Sequence, residues 1–268
     1  MEKPDKKRLH PINYEPLYFL LGLLLCLLIY EIIALSTREV FLPEFFKGLT
    51  VMFQKFSIPN TWKSLGFSLL RLFISLFISG ILGVSLGLTA GYYTKLSKIL
   101  NPLMTILRAY PTIALVMLLA VYVPNFGIYV VSVVIFPLFY QAALEGSKQA
   151  YDKFYYELAL KGRGHFFSNT FRVIIPLSSP YILLGFIQGL GLGWKAEIMS
   201  ETFAADSTYL GIGKLIYSNY QAVEYENMMA YVLIAILTSL ILDGCLYLIK
   251  GLIEKKLGLT KKDKIVSE

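Results

Sequence analysis

Ser64 to Tyr92 reads SLGFSLLRLFISLFISGILGVSLGLTAGY, and Arg71 is its single charged residue. A hydrocarbon core about 30 Å thick is crossed by roughly 20 apolar residues in a helix, so this run is long enough to span a bilayer. Small residues recur within it at every fourth position: Ser75, Ser79, Gly83, Gly87 and Gly91. Lipid gives helices no hydrophobic drive to associate, so a small-residue face that lets backbones approach must supply the packing. Gly185, Gly189 and Gly193 repeat the device further along. These two runs are expected to make the tight contacts of a helical bundle.

Working outward, the same length criterion picks six stretches: Leu17–Leu35, Ser64–Tyr92, Ile99–Val123, Phe126–Glu145, Pro176–Met199 and Asn227–Lys250. Hydrophobic residues make up 56% of the 268, in blocks rather than alternation, which predicts an all-α integral membrane protein of about six transmembrane helices. The expected organisation is a basic tail over residues 1–16, a membrane domain over 17–250 with a polar loop at 146–175, and a second basic tail over 251–268. The first apolar run follows Lys3, Lys6, Lys7 and Arg8 but exceeds the roughly 7–15 residues of a signal-peptide core, so it reads as a retained helix.

The net charge of +7 has a topological explanation. With the N-terminus inside, seventeen Lys and Arg residues fall on the cytosolic side, including Lys3, Lys161, Arg163, Lys261 and Lys264. Five fall outside: Arg38, Lys47, Lys55, Lys63 and Lys214. Cytosolic loops carry the positive excess, so both termini are expected in the cytosol, and a nucleic-acid partner is not implied. Cys26 and Cys245 sit in the first and last runs and form no framework; each is expected to pack as a small apolar side chain. His10 and His165 lie far apart, which gives a metal site no support.

Leu42, Phe45, Phe46, Leu49, Phe53 and Phe56 recur at helical spacing between Pro43 and Pro59. They predict a short amphipathic helix, either lying on the outer bilayer face or folded as a lid over the other helices. Pro102, Pro111, Pro137 and Pro180 interrupt or begin helices, and each interior proline frees a carbonyl that needs another partner. Arg71, Arg108, Lys195 and Glu197 are ionisable groups in or near apolar runs. Such groups usually face a cavity or one another, so they are candidates for a solute pathway or for internal pairs. Lys195 and Glu197, two apart, point in different directions on a helix.

The loop between the fourth and fifth runs carries the strongest functional signal. Tyr151–Leu160 and Phe166–Val173 suit two short helices, joined by a turn that Gly162 and Gly164 permit. Phe154, Leu158, Phe166, Phe167 and Phe171 are apolar on a segment placed in water, which points to a partner groove. Glu157, Lys161, Arg163 and Arg172 can orient that partner through charge-assisted bonds.

Glu157-Leu158-Ala159, Gly162-Arg163-Gly164 and Ile174-Ile175-Pro176 resemble the EAA loop of bacterial ABC-importer permeases. The likeness to the nitrate, sulfonate and taurine branch covers nearly the full length. It runs through Ser68-Leu69-Leu70-Arg71, Leu107-Arg108-Ala109-Tyr110-Pro111, Phe136-Pro137, Trp194 with Glu201, and Gly211-Ile212-Gly213. The resemblance implies that Glu157 to Pro176 forms the ATPase-coupling loop of a multi-pass permease in the bacterial inner membrane. It further implies a homodimer, cytosolic ATPase subunits that carry ATP and Mg, and an extracytoplasmic substrate-binding protein. This chain departs from the family where Leu158 replaces the first alanine and Arg163 stands where the hinge glycine belongs, leaving Gly162 and Gly164 as alternatives. No GxxxxGK[ST] loop occurs, so the chain itself is expected to hold no cofactor and to be no enzyme. An ion-gradient-driven transporter and a non-transporting membrane scaffold are the rival readings. The solute stays open between small anions and other organic molecules.

Overall fold

The computed structural model describes residues 15–36, 43–153, 170–204 and 209–257. Every regular element among them is helical. In chain order α1 covers Glu15–Ser36, α2 Phe45–Phe56, α3 Pro59–Tyr92, α4 Thr94–Ala109, α5 Thr112–Tyr122 and α6 Phe126–Lys153. A π-helical turn, Thr170–Ile174, leads into α7 at Ile175–Thr202, followed by α8 at Ile212–Gln221 and α9 at Tyr225–Leu257. The described helix α9 thus continues past residue 250.

Four helical segments among the described residues are long and apolar enough to cross a membrane: Pro59–Tyr92, Phe126–Lys153, Thr170–Thr202 and Tyr225–Ile249. The pair α4 and α5 makes a fifth when taken as one span, and α1 contributes the shorter apolar run Leu20–Ser36.

The stretch Ile99–Val123, counted as one span, is two helices meeting at 89°. Pro111 supplies the reason. It has no N–H to continue the ladder and disfavours helical backbone in the residue before it. Tyr110 accordingly lies at φ −69° and ψ 124°, and α5 starts immediately after Pro111. Pro102 and Pro137 sit inside α4 and α6 without ending either helix.

Helix α6 stands between α3 and α7, and both small-residue faces turn toward it. Ser75 Oγ donates to the Ile128 carbonyl at 3.0 Å and Ser79 Oγ to the Ser132 carbonyl at 2.7 Å. A Cβ on Gly83 would stand 2.6 Å from Phe139 Cβ, while Gly87 and Gly91 are closed off by Tyr140 and Ser147. On the other side Gly185 faces Ala142, and Gly189 faces the Phe139 ring. Gly193 meets Leu72 of α3 together with Ile135. Backbone contact on this scale replaces the hydrophobic drive that lipid does not provide. Leu72, Ile135, Phe139 and Tyr140 are fully buried in the resulting core.

Helix α2 is folded as a lid. Gly48 and Met52 are buried, with a Cβ on Gly48 only 2.9 Å from Met229 Cγ of α9, and Lys55 Nζ lies 5.7 Å from the Tyr231 ring centroid. Phe46 and Phe53 on its far face are exposed. Helix α1 is tied to the start of α2. Tyr30 donates its hydroxyl to the Pro43 carbonyl at 2.9 Å, and Glu31 Oε2 accepts the Phe45 N–H at 3.1 Å. Cys26 and Cys245 are exposed on their helices rather than packed inside the bundle, because the core is built on α6 and neither α1 nor the second half of α9 turns that face to it.

Candidate functional site

Three places hold the residues singled out by sequence. The first is the polar loop. Glu157, Leu158, Ala159, Gly162, Arg163 and Gly164 lie outside the described residues. The flank that is described begins at Thr170, where Phe171 is 67% exposed and Arg172 is exposed beside it. Pro176 is exposed in the first turn of α7, a position where proline's missing N–H costs nothing.

The second is a buried clasp around Arg71. On α7 the helical period sets Glu197 and Glu201 on one face, one turn apart, and this face meets Arg71 of α3. Arg71 Nε donates to Glu197 Oε1 at 2.6 Å, and its Nη2 donates to Glu201 Oε1 and to the Leu210 carbonyl, the latter at 2.8 Å. Ser68, one helical turn before Arg71, places its Oγ 2.6 Å from the same Glu201 oxygen and accepts the Ile212 N–H at 3.0 Å. Glu201 Oε2 accepts the Gly213 N–H at 2.7 Å. The turn entering α8 is thereby pinned to α3 and α7 through one carboxylate.

The Tyr209 ring lies 4.4 Å from the Arg71 guanidinium, a cation–π contact. Burial pushes the Tyr209 hydroxyl above its ordinary value; Arg71 opposes that shift, while Glu197 and Glu201 add to it. The phenol therefore stays neutral. Gly127 of α6 closes the cluster: a Cβ there would stand 2.9 Å from Ser200 Oγ, 3.0 Å from the Tyr209 hydroxyl and 3.4 Å from Glu197 Oε1. A methyl group there would crowd these oxygens, Ser200 Oγ most of all. Lys195, two residues before Glu197, is exposed on the opposite side of α7.

The third place is a groove of mixed polar and apolar lining. A cleft of about 290 Å³ is lined by Arg108, Gln141, Glu145 and Gln188 together with the apolar Leu138 and Leu184. A second, of about 250 Å³, shares Arg108 and Gln141 and adds Asn101, Thr105 and Lys148. Arg108 closes α4, one turn before the bend, and donates to the Pro137 carbonyl of α6 at 3.0 Å. Gln141 donates to Glu145, and Tyr181 to Gln149. Gln188 of α7 is exposed.

The structure thus divides the four charges that sequence grouped together. Arg71 and Glu197 join each other inside the fold, whereas Arg108 and Lys195 stand on its surface, apart from that pair. Sequence reasoning did not join Glu201 and Ser68 to Arg71, since the Arg71–Glu201 bond spans 130 positions. The available signal was the i, i+4 pair of acids opposite the one cation in Ser64–Tyr92.

Comparison with known proteins matches residues 79–259 to the family described as the binding-protein-dependent transport system inner membrane component. The chain is 26% identical over 196 residues to the taurine transport system permease protein TauC of Escherichia coli (strain K12), covering 71% of this chain and 69% of that one. It is 30% identical over 203 residues to the bicarbonate transport system permease protein CmpB of Synechocystis sp. (strain ATCC 27184 / PCC 6803 / Kazusa), with 70% and 68% covered. The nitrate import permease protein NrtB of Leptolyngbya laminosa is 25% identical over 183 residues, with 66% and 63% covered.

Proposed function

Because this chain belongs to the family of binding-protein-dependent transport system inner membrane components, we propose that it is the membrane-spanning permease subunit of an ABC importer for a small anionic solute. ATP is hydrolysed on separate ATPase subunits, and an extracytoplasmic binding protein delivers the cargo. The family match over more than half of the chain carries this reading. The names of the relatives, which transport taurine, bicarbonate and nitrate, support the solute class.

Both termini lie in the cytosol in this reading, as the distribution of lysine and arginine favours, and six spans cross the membrane. The segment Glu157 to Pro176 then faces the cytosol and docks onto the ATPase, with Gly162 or Gly164 as its hinge. Two copies of the chain assemble, and the groove at Arg108 lines the solute path between them. The support for that path is physical. Arg108, Gln141 and Gln188 present donors and charge on a surface of membrane-spanning helices, where lipid would penalise them and water or a partner subunit would not. Arg71 and Glu197 leave the set of pathway groups, since each occupies the other.

Native mass spectrometry of the tagged chain, extracted gently from its own membrane, tests the assignment. Two copies with two ATPase chains are expected. The chain alone, under conditions that preserve other membrane complexes, would shift the reading to an ion-gradient-driven transporter or a scaffold.

A further inference from the structure

The Arg71 clasp sets two carboxyls against one guanidinium with almost no access to solvent: Glu197 and Glu201 are 0% exposed and Arg71 is 7% exposed. Were both acids ionised, the cluster would hold one uncompensated negative charge. An unpaired charge away from water is among the costliest features a fold can keep. The two acids also stand four residues apart on α7, where like charges repel.

The donors are not shared equally between them. Glu201 accepts from Arg71, Ser68 and the Gly213 N–H, so both its oxygens are satisfied, as an ionised carboxylate requires. Glu197 accepts at Oε1 from Arg71 Nε, while its Oε2 is buried with no hydrogen-bond partner among the described residues. A stranded acceptor is expensive. A protonated oxygen at the same place is a donor instead, and the ionised Glu201 carboxylate one turn along the same helix is an acceptor. The Tyr209 hydroxyl, also buried and without a hydrogen-bond partner among the described residues, lines the space beside Gly127 together with Glu197 Oε1.

We propose that Glu197 carries a proton at Oε2, which makes the clasp a buried proton-binding site of zero net charge. The donor inventory assigns the negative charge to Glu201 and the proton to its neighbour. Among the described residues, these groups face the site. Arg71 and Ser68 face the site from α3, and Glu201 and Ser200 from α7 itself. Tyr209 comes from the segment before α8, and α6 contributes Gly127, which has no side chain. Lys214 of α8 gives its ammonium to the Ala204 carbonyl. On α9, Asp243 stands beside Gly191, six residues back along α7. The proton is required whether or not the chain transports a solute.

The folded protein then holds one proton more than the unfolded chain once the pH exceeds the ordinary glutamate value of about 4.3. A state that binds the extra proton loses stability as pH rises, so this site makes the fold less stable toward alkaline pH.

The experiment uses the full chain in lipid nanodiscs, labelled with 13C-glutamate, and reads infrared absorption and Tm against pH. A protonated-acid carbonyl band that shifts with the label is expected at neutral pH. It should vanish in Glu197→Gln, and also in Glu201→Gln, where Glu197 is the one acid left facing Arg71 and its ionisation keeps the cluster neutral. Tm of the wild type should fall as pH rises, and the fall should be absent in Glu197→Gln. Tyr209→Phe then assigns the proton between the two acids, because removing the phenol that stands beside Glu197 should move the band without abolishing it. No labelled band, a band that survives Glu197→Gln, or a band unmoved by Tyr209→Phe would overturn the proposal. So would a Tm that rises with sodium at constant ionic strength and loses that response in Glu197→Gln, which would put a metal cation where the proton is assigned.

Discussion

Arg71 of α3 and Glu201 of α7, separated by 130 positions in sequence, form a direct ion pair inside the bundle. The same carboxylate holds the Gly213 N–H, so one side chain joins two membrane-spanning helices to the turn that begins α8. Replacing Arg71 with Ala leaves two buried acids without their cation. Breaking a buried pair from one side costs about 3–5 kcal/mol, so a large fall in Tm is expected. Arg71→Lys should recover only part of it, because an ammonium cannot donate in two directions in the plane of a guanidinium. Thermal unfolding in nanodiscs checks both, and a wild-type Tm for Arg71→Ala would show that the clasp contributes nothing to the fold.

Gly83→Leu and Gly87→Leu should each disrupt assembly, since the space a side chain needs is taken by Phe139 and Tyr140 of α6. Overpacking costs typically 1–3 kcal/mol where neighbours can shift, and backbone cannot shift as side chains do. The control is Gly66→Leu, which meets nothing within 4 Å and should leave Tm unchanged. Size-exclusion profiles and melting curves of the three variants decide it; equal behaviour would mean that α3 and α6 tolerate being pushed apart.

Glu157→Lys should uncouple transport while leaving the membrane domain folded, because it reverses charge on the segment assigned to ATPase docking. Solute uptake should be lost, with Tm and expression as in the wild type. Co-purification of the ATPase should weaken in parallel. Normal uptake by this variant would remove Glu157 from the coupling role.

Arg108→Gln should reduce uptake of an anionic solute by at least several-fold without changing Tm. The side chain is exposed and its one described bond goes to a carbonyl of α6, so its removal strands no buried charge. Assay in proteoliposomes containing the complete transporter, with an anion and a neutral solute compared side by side, separates a charge effect from a collapsed groove. An undiminished rate for the anion would place the solute path elsewhere.

The membrane-spanning helices were legible because their signal is local: a run such as Ser64–Tyr92 announces its length and its small-residue face without reference to anything else in the chain. The opposite directions of Lys195 and Glu197 followed from the helical period alone. The 89° bend did not, because Pro102, Pro111 and Pro137 look alike in sequence. What distinguishes them is whether the helix can continue past the proline, and it does so at Pro102 and Pro137 but not at Pro111. The Arg71 clasp was illegible for a different reason. Its members come from α3, α7 and the turn before α8, and no spacing rule connects Ser68 to Glu201 across 133 positions.

Helix α7 runs from Pro176 in its first turn to Glu201 near its last, 25 residues or about 38 Å at the rise of an α-helix. Gly185 and Gly189 seat its middle against α6. The seam continues toward both ends, where Gly146 of α6 closes on Ser178 and Tyr181, and Gly193 on Leu72 and Ile135. A rod seated along its length moves as one body, so a shift imposed at the Pro176 end would carry the Glu201 carboxylate with it and strain its bond to Arg71.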